Sequence, residues 1–521
     1  MVRSALGPVA LALLLSACRC GDEPSASGDW KTLFDTLIKG LPEARTEVPL
    51  EVIPSDVAWI ASSPDPEAWR AWAAATPTGQ AWMATPLFED ILTSRSYLAI
   101  DGMRRSVARA SAMGGDPDDA NALWRGPTAL ATEDPGAVEP TFVVVKRIDP
   151  SLRSIVRLAA AFAQTKDATL THVESIDVRT VSMSGRSVSF ALFKNLLIAG
   201  TDQTLVERAA ALAQRAPKGE DKPASADPLL PPAETPGIHA RILLSKTGLG
   251  ELTPIEGIGF SLIADARAPL KLRRTGVAPA ADLSGILAYA PASTTLAWID
   301  AAPPSALLLD AFTRFADNLG DPPALKKKQK ALATFDATKL VEALTPGFGL
   351  VLGVRDDATQ AAALGPIVVM RHSGLAAIEP QALGLIERLS GEKATRTVLE
   401  DRGNAVVYSA KAGGVTAGIT ADALVIGLDA DAVGRAIAAG QGRAPSVKDR
   451  VGAGASMSGG VFIDGPKTGA WLDAFYAEAL EGEDTHAVLG PTFAVLAKAP
   501  ALFARLVPSG EIAEGPLEAL P

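Results

Sequence analysis

The sequence contains only two cysteines, Cys18 and Cys20, and aromatic residues make up 5% of its 521 residues. Two neighbouring cysteines leave no framework of internal disulfides, which excludes the small disulfide-stabilised class of secreted domain. Acidic residues outnumber basic ones, 59 against 49, and the net charge of −10 argues against a nucleic-acid partner. Hydrophobic residues reach 48%, so the chain can bury a large core, and its length predicts two or more domains.

Motifs that carry common enzyme chemistry are also missing. The sequence has no Walker-type phosphate loop, no His-Glu-x-x-His and no Gly-x-Ser-x-Gly elbow. Lys-Thr-Gly occurs at 246–248 and 467–469, as in penicillin-binding enzymes, but the Ser-x-Asn that accompanies it there is absent. We interpret both copies as turns after strands and predict no catalytic, metal-binding or cofactor-binding residue.

Histidines, acidic pairs and tryptophans are the remaining candidates for chemistry. The histidines lack the spacing of metal ligands, and we predict structural or solvent-facing roles for them: His172, His239, His372 and His486. The acidic pairs lie in loop-like sequence and are interpreted as solvated, although a fold could assemble a carboxylate dyad: Asp118-Asp119 and Asp356-Asp357. The densest aromatic group either packs in the core or lines a sugar or peptide groove: Trp59, Trp69, Trp72 and Trp82.

The N-terminus has the pattern of a signal peptide, predicted at 1–17. Arg3 is followed by an apolar stretch from Ala5 to Leu15, which is too short to cross a bilayer as a helix. It ends in Leu15-Ser16-Ala17-Cys18, which resembles the lipobox of bacterial lipoproteins. This resemblance implies cleavage before Cys18, diacylglycerol on its sulfur and acylation of the new N-terminus. The membrane is then a partner through the lipid.

Arg19 bears on localisation, because it follows the lipidated cysteine. In the familiar sorting rule of such lipoproteins an Asp at that position retains the protein in the inner membrane. We therefore expect a lipid-anchored protein of the cell envelope, on the outer rather than the inner membrane. Residues 18–47 are interpreted as a tether followed by a short helix.

An internal repeat organises the rest of the chain. Ser187 to Gln214 reads as a β-hairpin followed by a helix, with Asp202 or Thr204 as the helix cap. A shift of 227 positions superposes this stretch on a second copy without a gap, and Gly200 and Asp202 fall on Gly427 and Asp429. Segments around it recur in the same order: Ala-Trp-Ile at 58–60 and 297–299, an apolar strand at 142–146 and 367–371, and the strands that begin at Ile242 and Ile463.

These matches predict two duplicated units, at 48–282 and 283–480, with a C-terminal helix and fraying tail at 481–521. Residues 217–236, rich in Pro and Asp, are interpreted as a flexible insertion in the first unit. The predicted fold class is α+β, with antiparallel or mixed sheets and helices packed on one face. The strand entry Ile53-Pro54-Ser55-Asp56 resembles the Leu-Pro-Ala-Asp entry of a family of bacterial extracytoplasmic proteins of unknown function, which supports architecture only.

The functional prediction is a lipid-anchored envelope protein that binds or scaffolds without catalysis. Its partner is expected to be another envelope protein or an apolar ligand. Two alternatives stay open: an envelope hydrolase with a site assembled from dispersed carboxylates and histidines, and a carrier of lipid or another apolar ligand.

Replacing Cys18 tests the anchor. We expect Cys18→Ala to abolish fatty acylation, because the thiol that accepts the diacylglycerol is lost. Metabolic labelling with a fatty-acid analogue measures this, and Cys20→Ala is the matched control, which should label like the native chain. Equal labelling of the Cys18→Ala protein would contradict the lipobox.

Overall fold

The computed structural model describes sixteen stretches of the chain. They are residues 39–85, 126–133, 141–148, 169–183, 186–216, 222–246, 255–263, 270–276, 279–304, 337–353, 365–399, 405–410, 415–452, 456–479, 490–491 and 493–520. The predicted signal peptide, Cys18 and almost all of the predicted tether and short helix lie outside these residues.

Twenty strands lie within the described residues. They are β1 (Trp59–Ser63), β2 (Thr128–Thr132), β3 (Val143–Arg147), β4 (Thr169–Val173), β5 (Ile176–Met183), β6 (Arg186–Leu192), β7 (Leu196–Gly200), β8 (Ile238–Leu243), β9 (Gly257–Leu262), β10 (Leu270–Arg274), β11 (Leu296–Asp300), β12 (Leu344–Leu352), β13 (Ile367–His372), β14 (Thr395–Leu399), β15 (Ala405–Ser409), β16 (Thr416–Ile419), β17 (Ala423–Gly427), β18 (Gly459–Asp464), β19 (Ala501–Ser509) and β20 (Ile512–Ala519).

The described residues contain fewer helices than strands, and residues 490–491 and 493–496 are helical in addition to the following elements. They are α1 (Pro66–Ala75), α2 (Pro77–Met83), α3 (Gln203–Gln214), α4 (Ser284–Leu287), α5 (Ala337–Ala343), α6 (Leu375–Ser390), α7 (Ala430–Gly440), α8 (Val447–Val451) and α9 (Gly465–Ala479). Single 3-10 turns lie at Pro49–Glu51, Ala224–Ala226 and Leu244–Lys246.

The predicted α+β class is wrong, because the protein is mainly β. Strands account for 39% of the described residues and helices for 28%, and the strand pairings among them are antiparallel. Strands are indicated in the sequence by short apolar runs at hairpin spacing. Many such runs form strands that the sequence prediction did not include. Two neighbouring runs that each bury a face against the same core satisfy their backbone groups by pairing, which a hairpin achieves at little loop cost.

The chain divides into two compact units. Unit 1 comprises Met1–Gly248 with Gly257–Pro269, and unit 2 comprises Leu249–Glu256 with Leu270–Pro521. The strand order in unit 1 is β9-β8-β1-β2-β3-β7-β6-β5-β4. The order in unit 2 is β10-β20-β19-β18-β11-β12-β13-β17-β16-β15-β14. Apart from β10 and β20, the two orders correspond strand by strand, so the repeat predicted from the sequence is present in the topology.

The register of the central strands agrees with the ungapped shift of 227. Gly200 lies opposite Val143 and Ser189 in unit 1, and Gly427 lies opposite Ile367 and Thr416 in unit 2. A Cβ on Gly200 would clash with the backbone of the segment before β3, and one on Gly427 would press on the β13 side chain opposite it. Both glycines are therefore required by close approach of the neighbouring strand.

The Ala-Trp-Ile match between the units is displaced by two residues. Trp59 lies opposite Thr132 on the neighbouring strand, and the residue in the corresponding place is Leu296, which lies opposite Leu352. Trp298 therefore corresponds to Ala61 rather than to Trp59. A displacement of two leaves every side chain on its original face of the sheet, because the side-chain period of a strand is two.

Helices cover both faces of the unit 2 sheet, which corrects the prediction of a single helical face. One face packs Val368 and Met370 against α6, and the other packs Ile367 and Val369 against α7. The strand sequences explain why both faces are covered. β13 and β17 are continuous apolar runs and do not alternate between apolar and polar residues. Such strands need apolar contacts on both sides.

The predicted flexible insertion at 217–236 is also corrected for the part that is described, residues 222–236. An antiparallel bridge joins Pro54 to Pro223, and the corresponding bridge in unit 2 joins Pro291 to Ser446. The segment is thus an integral part of the repeat. Its buried apolar residues include Ala224, Leu229 and Leu230.

Part of the predicted C-terminal helix is present, since residues 490–491 and 493–496 are helical, but residues 501–519 form a hairpin instead of a fraying tail. β19 pairs with β18 and β20, and Phe503 and Ala504 are buried. In β20, Ile512, Ala513 and Leu517 are buried as well. The apolar content that looked helical is used on the two faces of a paired strand.

Asp202 caps α3, as predicted. Its carboxylate Oδ1 accepts a hydrogen bond from the Leu205 N–H at 3.0 Å. In unit 2, Asp429 caps α7 by accepting from the Asp431 N–H at 2.9 Å, while the Asp431 carboxylate pairs with Arg435. Only one aspartate of the second copy is therefore a cap.

Substitutions at Asp202 measure the contribution of the cap. Asp202→Ala should lower the free energy of unfolding by about 0.5–2 kcal/mol, because the first turn of α3 loses an acceptor. Asp202→Asn should recover most of this, since its side chain still accepts the bond. Chemical denaturation of the three proteins, with and without chelator, provides the test. A chelator-sensitive native protein with an Asn variant as weak as Ala would contradict the cap.

Candidate functional site

The strand β4 forms one edge of the unit 1 sheet and pairs with β5 alone among the described strands. Its Leu170 is 49% exposed, although leucine is usually buried. The Thr171 hydroxyl accepts a hydrogen bond from Gln203 of α3 at 3.2 Å, and His172 Nδ1 lies 2.8 Å from an oxygen of Asp177. The side chains thus hold β4 to its own unit while its outer backbone edge lies at the surface.

The turn between β4 and β5 is fixed to the end of α3. Glu174 has a φ of 55°, the left-handed conformation that a two-residue hairpin turn demands. Its carboxylate lies 3.2 Å from Arg215 Nε, and the Ser175 N–H donates to the Gln214 side chain at 3.2 Å. These contacts fix the turn between β4 and β5 against the C-terminal end of α3.

The strand β14 forms the corresponding edge of unit 2 and pairs with β15 alone among the described strands. Val398 is 40% exposed. Arg396 Nε lies 3.2 Å from an oxygen of Glu379 on α6, and the Tyr408 hydroxyl bonds the same oxygen. The hydrogen bond from Tyr408, together with Arg396, lowers the pKa of Glu379. The edge residue Arg396 is therefore turned towards its own unit.

The two edges share a sequence pattern that the sequence analysis missed. By strand register Thr169 corresponds to Thr395 and Thr171 to Thr397, a shift of 226. The signal was available, because this shift differs by one from that of the organising repeat. Exposed edges are often protected by charged side chains, Pro, bulges or a covering element. β4 contains no charged residue, Pro or Gly, and the one charged residue of β14, Arg396, is paired with Glu379 of its own unit. The two strands therefore offer backbone edges that a further strand could join.

A second feature is an ionic cluster at the strand ends of unit 1. Arg208 of α3 pairs with Asp56 through Nη2 and with Glu133 through Nη1, at 3.2 Å for the latter. Burial raises the pKa of Glu133, and the nearby Asp56 carboxylate adds to this effect. The corresponding positions in unit 2 hold Ser293, Gly353 and Arg435. The cluster is thus specific to unit 1, and both its carboxylates are engaged by the guanidinium.

Arg241 is a fully buried cation on β8. It donates to the carbonyls of Val57 at 2.6 Å and Ser55 at 2.9 Å, and its Nε lies 3.0 Å from Asp227. Burial lowers the pKa of Arg241, and Asp227 opposes this shift. The ion pair and the two carbonyls together compensate the lost hydration of the guanidinium.

In unit 2 the positions that correspond to Arg241 and Asp227 do not hold a buried ion pair. Phe462 occupies the place of Arg241, and Arg450 occupies the place of Asp227. The Arg450 guanidinium lies 5.6 Å from the centre of the Phe462 ring, and it also pairs with Asp464 at 3.0 Å. A cation over an aromatic ring therefore replaces a cation beside a carboxylate.

Lys146 of β3 is another charged residue in an apolar place. Its exposed fraction is 3%, its Nζ lies 3.4 Å from the Thr128 hydroxyl, and burial lowers its pKa to about 8. The corresponding residue in unit 2 is Met370, which belongs to an apolar core. The two units thus differ in the polarity of this face of the sheet.

Three of the four histidines are described, and each contacts a group of its own unit. His239 Nε2 is 2.9 Å from the Thr235 carbonyl and His372 Nε2 is 3.2 Å from the Thr420 carbonyl, while His172 is on the β4 edge. The predicted roles of these side chains, structural or solvent-facing, stay predictions. His486 and the acidic pairs at 118–119 and 356–357 lie outside the described residues. Among the described residues no group of three or more His, Cys, Asp or Glu is placed to hold a metal ion.

The second Lys-Thr-Gly opens a helix rather than a turn. Lys467 lies in the first turn of α9, and its Nζ donates to the Ala292 carbonyl at 2.7 Å. A Ser-x-x-Lys sequence begins at Ser390, but its hydroxyl donates to the Ile386 carbonyl at 2.8 Å and closes α6. Neither element forms a nucleophile. The side chains of Trp69, Trp72 and Trp82 lie outside the described part of the structure.

An open cavity of about 450 Å³ lies in unit 2 at the end of α7. Its lining combines small residues with Arg443, Lys448 and Asp449. Ser446 and Asp449 close it from one side through a capping box, with the Ser446 N–H donating to Asp449 at 2.8 Å. This lining is polar, in contrast to the apolar cavity that a lipid carrier requires.

A scan against protein-family models, a search of curated proteins and a search of solved structures each found no match. The resemblances to bacterial lipoproteins and to an extracytoplasmic family therefore stay predictions.

Exchanging the buried pair between units tests the comparison of Arg241 with Phe462. Arg241→Phe alone should lower the free energy of unfolding by about 3–5 kcal/mol, because it leaves Asp227 buried without its cation. Adding Asp227→Arg should recover a large part, since the new arginine can cover the ring as Arg450 does. Urea unfolding of both variants measures this, and a single variant as stable as the native chain would contradict the argument.

Proposed function

We propose that this chain is a lipid-anchored protein of the cell envelope that binds extended segments of partner proteins along its sheet edges and scaffolds them without catalysis. The observation that carries the proposal is the pair of corresponding exposed edges, β4 and β14. A sheet edge offers a row of N–H and C=O groups, and an extended partner strand satisfies them by joining the sheet.

Two edges on one chain make the interaction bivalent. A five-residue strand alone gives weak binding, because few hydrogen bonds must offset the ordering of the partner. A partner that engages both edges at once gains from the raised effective concentration of the second contact. This property suits a scaffold that gathers envelope proteins.

Attachment to the membrane is supported by Leu15-Ser16-Ala17-Cys18 after a short apolar stretch. Two or more acyl chains hold a protein stably on a bilayer. Arg19 favours the outer membrane. The described part of the chain contains no helix of the length and apolarity needed to cross a membrane.

The hydrolase alternative is supported by one arrangement, the Asp56 and Glu133 carboxylates held by Arg208. A raised pKa suits Glu133 to donate a proton as a general acid. We rank this function second, because Arg208 occupies both carboxylates.

Photocrosslinking tests the binding edges. A photoreactive amino acid at Leu170 or Val398 should crosslink to a partner protein in cells that make this chain, because the partner strand lies directly alongside. Leu375 is the matched control, being 43% exposed but in the helix α6, which offers no strand edge. Equal crosslinking from position 375, or none from 170 and 398, would refute the proposal.

A further inference from the structure

One hydrogen bond in the same sheet determines which residues of β4 direct their backbone N–H and C=O groups outward. The Phe193 N–H donates to the Leu196 carbonyl at 2.8 Å and closes the hairpin of β6 and β7. Bonded and non-bonded pairs alternate along antiparallel strands, so the register carries this pattern through β5 to β4. Thr171 is directed towards β5, and Leu170 and His172 direct their N–H and C=O groups outward.

The backbone groups of the β14 edge alternate inward and outward in the same way as those of β4. The Thr420 N–H donates to the Ala423 carbonyl at 2.9 Å and closes the hairpin of β16 and β17. The register through β15 then directs Thr397 inward, and Arg396 and Val398 outward. Both edges thus offer two outward residues that flank a central threonine.

These two edges fit each other in an antiparallel arrangement. The outward backbone N–H and C=O groups of one strand must lie opposite those of the other. One such register pairs all five residues of each strand and places Thr171 opposite Thr397. In that register His172 faces Arg396, whose charge is balanced by Glu379 of its own unit. Leu170 faces Val398. Burying these exposed apolar side chains against each other removes both from water, which favours association.

Pairing an edge with its own kind is less favourable. In a β4 pair centred on Thr171, each Leu170 would face the imidazole of His172. In a β14 pair centred on Thr397, each Val398 would face the guanidinium of Arg396. Both arrangements bury an apolar side chain against a polar one, so the mixed pairing is preferred.

We infer that the partner at these edges is a second copy of this chain, with β4 of one copy paired antiparallel to β14 of the next. The inference rests on the proposed function and names its occupant. The contact is head to tail, because the two surfaces that meet are different, and a pair of copies keeps one β14 edge and one β4 edge for further copies.

The test uses full-length chains that carry charges at the facing positions. Sedimentation velocity over a concentration series measures the association constant of the native protein, Leu170→Lys, Val398→Glu and the double variant. Each single change should weaken association about tenfold or more, because a charge then faces an apolar side chain across the pair. The double variant should recover most of the native association, since Lys and Glu then face each other.

Two controls separate this outcome from a general effect of charge. Leu170→Lys combined with Val398→Lys should stay as dissociated as the single variants. Leu375→Lys, at an exposed position of the helix α6, should associate like the native chain. Thermal melting should show that all variants keep the native transition, since the altered side chains are exposed.

The inference and the proposed function fail in different ways. A native chain that is monomeric at all concentrations, while positions 170 and 398 still crosslink to another protein, overturns the second copy as partner and leaves the binding edges. A double variant as weak as the single ones overturns the mixed register. Absence of any crosslink from either edge overturns both.

Discussion

Burial of the central strands on both faces is the constraint on which each unit depends. β7 and β17 bury all five of their residues. No water reaches such strands, so every backbone group must pair with a neighbouring strand, and each face needs apolar cover. The hairpin that leads into each strand, the helix that follows it and the glycine at its end are all consequences. A neighbouring strand approaches closely at Gly200 and at Gly427. This constraint explains why both units have glycine at this position.

This constraint explains which predictions were correct. The hairpin-helix unit, the Asp202 cap and the order of the repeat were predictable, because they depend on local residue types and on spacing within one copy. The Ala-Trp-Ile match was displaced because a shift of two preserves the face of every side chain and so leaves the apolar pattern unchanged. The fold class was wrong because apolar runs of helical composition, such as the one that ends in β19, join sheets through partners distant in the sequence.

The candidate binding edges were less accessible from the sequence. Their Thr-x-Thr pattern is polar and short, and nothing in five residues indicates that a strand lies at an edge. That property is set by the whole strand order, which no local pattern contains. The ionic features of unit 1 were hidden for a similar reason. Arg241 and Asp227 are fourteen residues apart in the sequence, and their pairing depends on the bridge between Pro54 and Pro223.

The two units show how one topology tolerates different interiors. Arg241 with Asp227 in unit 1 and Phe462 with Arg450 in unit 2 fill the same space by different physical means. Lys146 and Met370 are a second such pair. A buried cation needs an anion and carbonyls in place before it can be dehydrated, whereas an aromatic ring needs only volume. At these two positions unit 1 therefore demands more exact placement of polar groups, whereas the buried ion pair of unit 2, Arg274 with Asp300, lies elsewhere in its sheet.

The strand order also has a kinetic consequence. β1 lies between β2 and β8, and its Ile60 faces Ala131 on one side and Arg241 on the other. A chain that emerges from a ribosome or a translocation pore exposes β1 long before β8 arrives. Pairings between such distant residues are slow, and strands that wait for them are prone to aggregate. During that interval the nascent unit requires either rapid emergence or a holding chaperone, and the same delay recurs in unit 2, where β11 waits for β18.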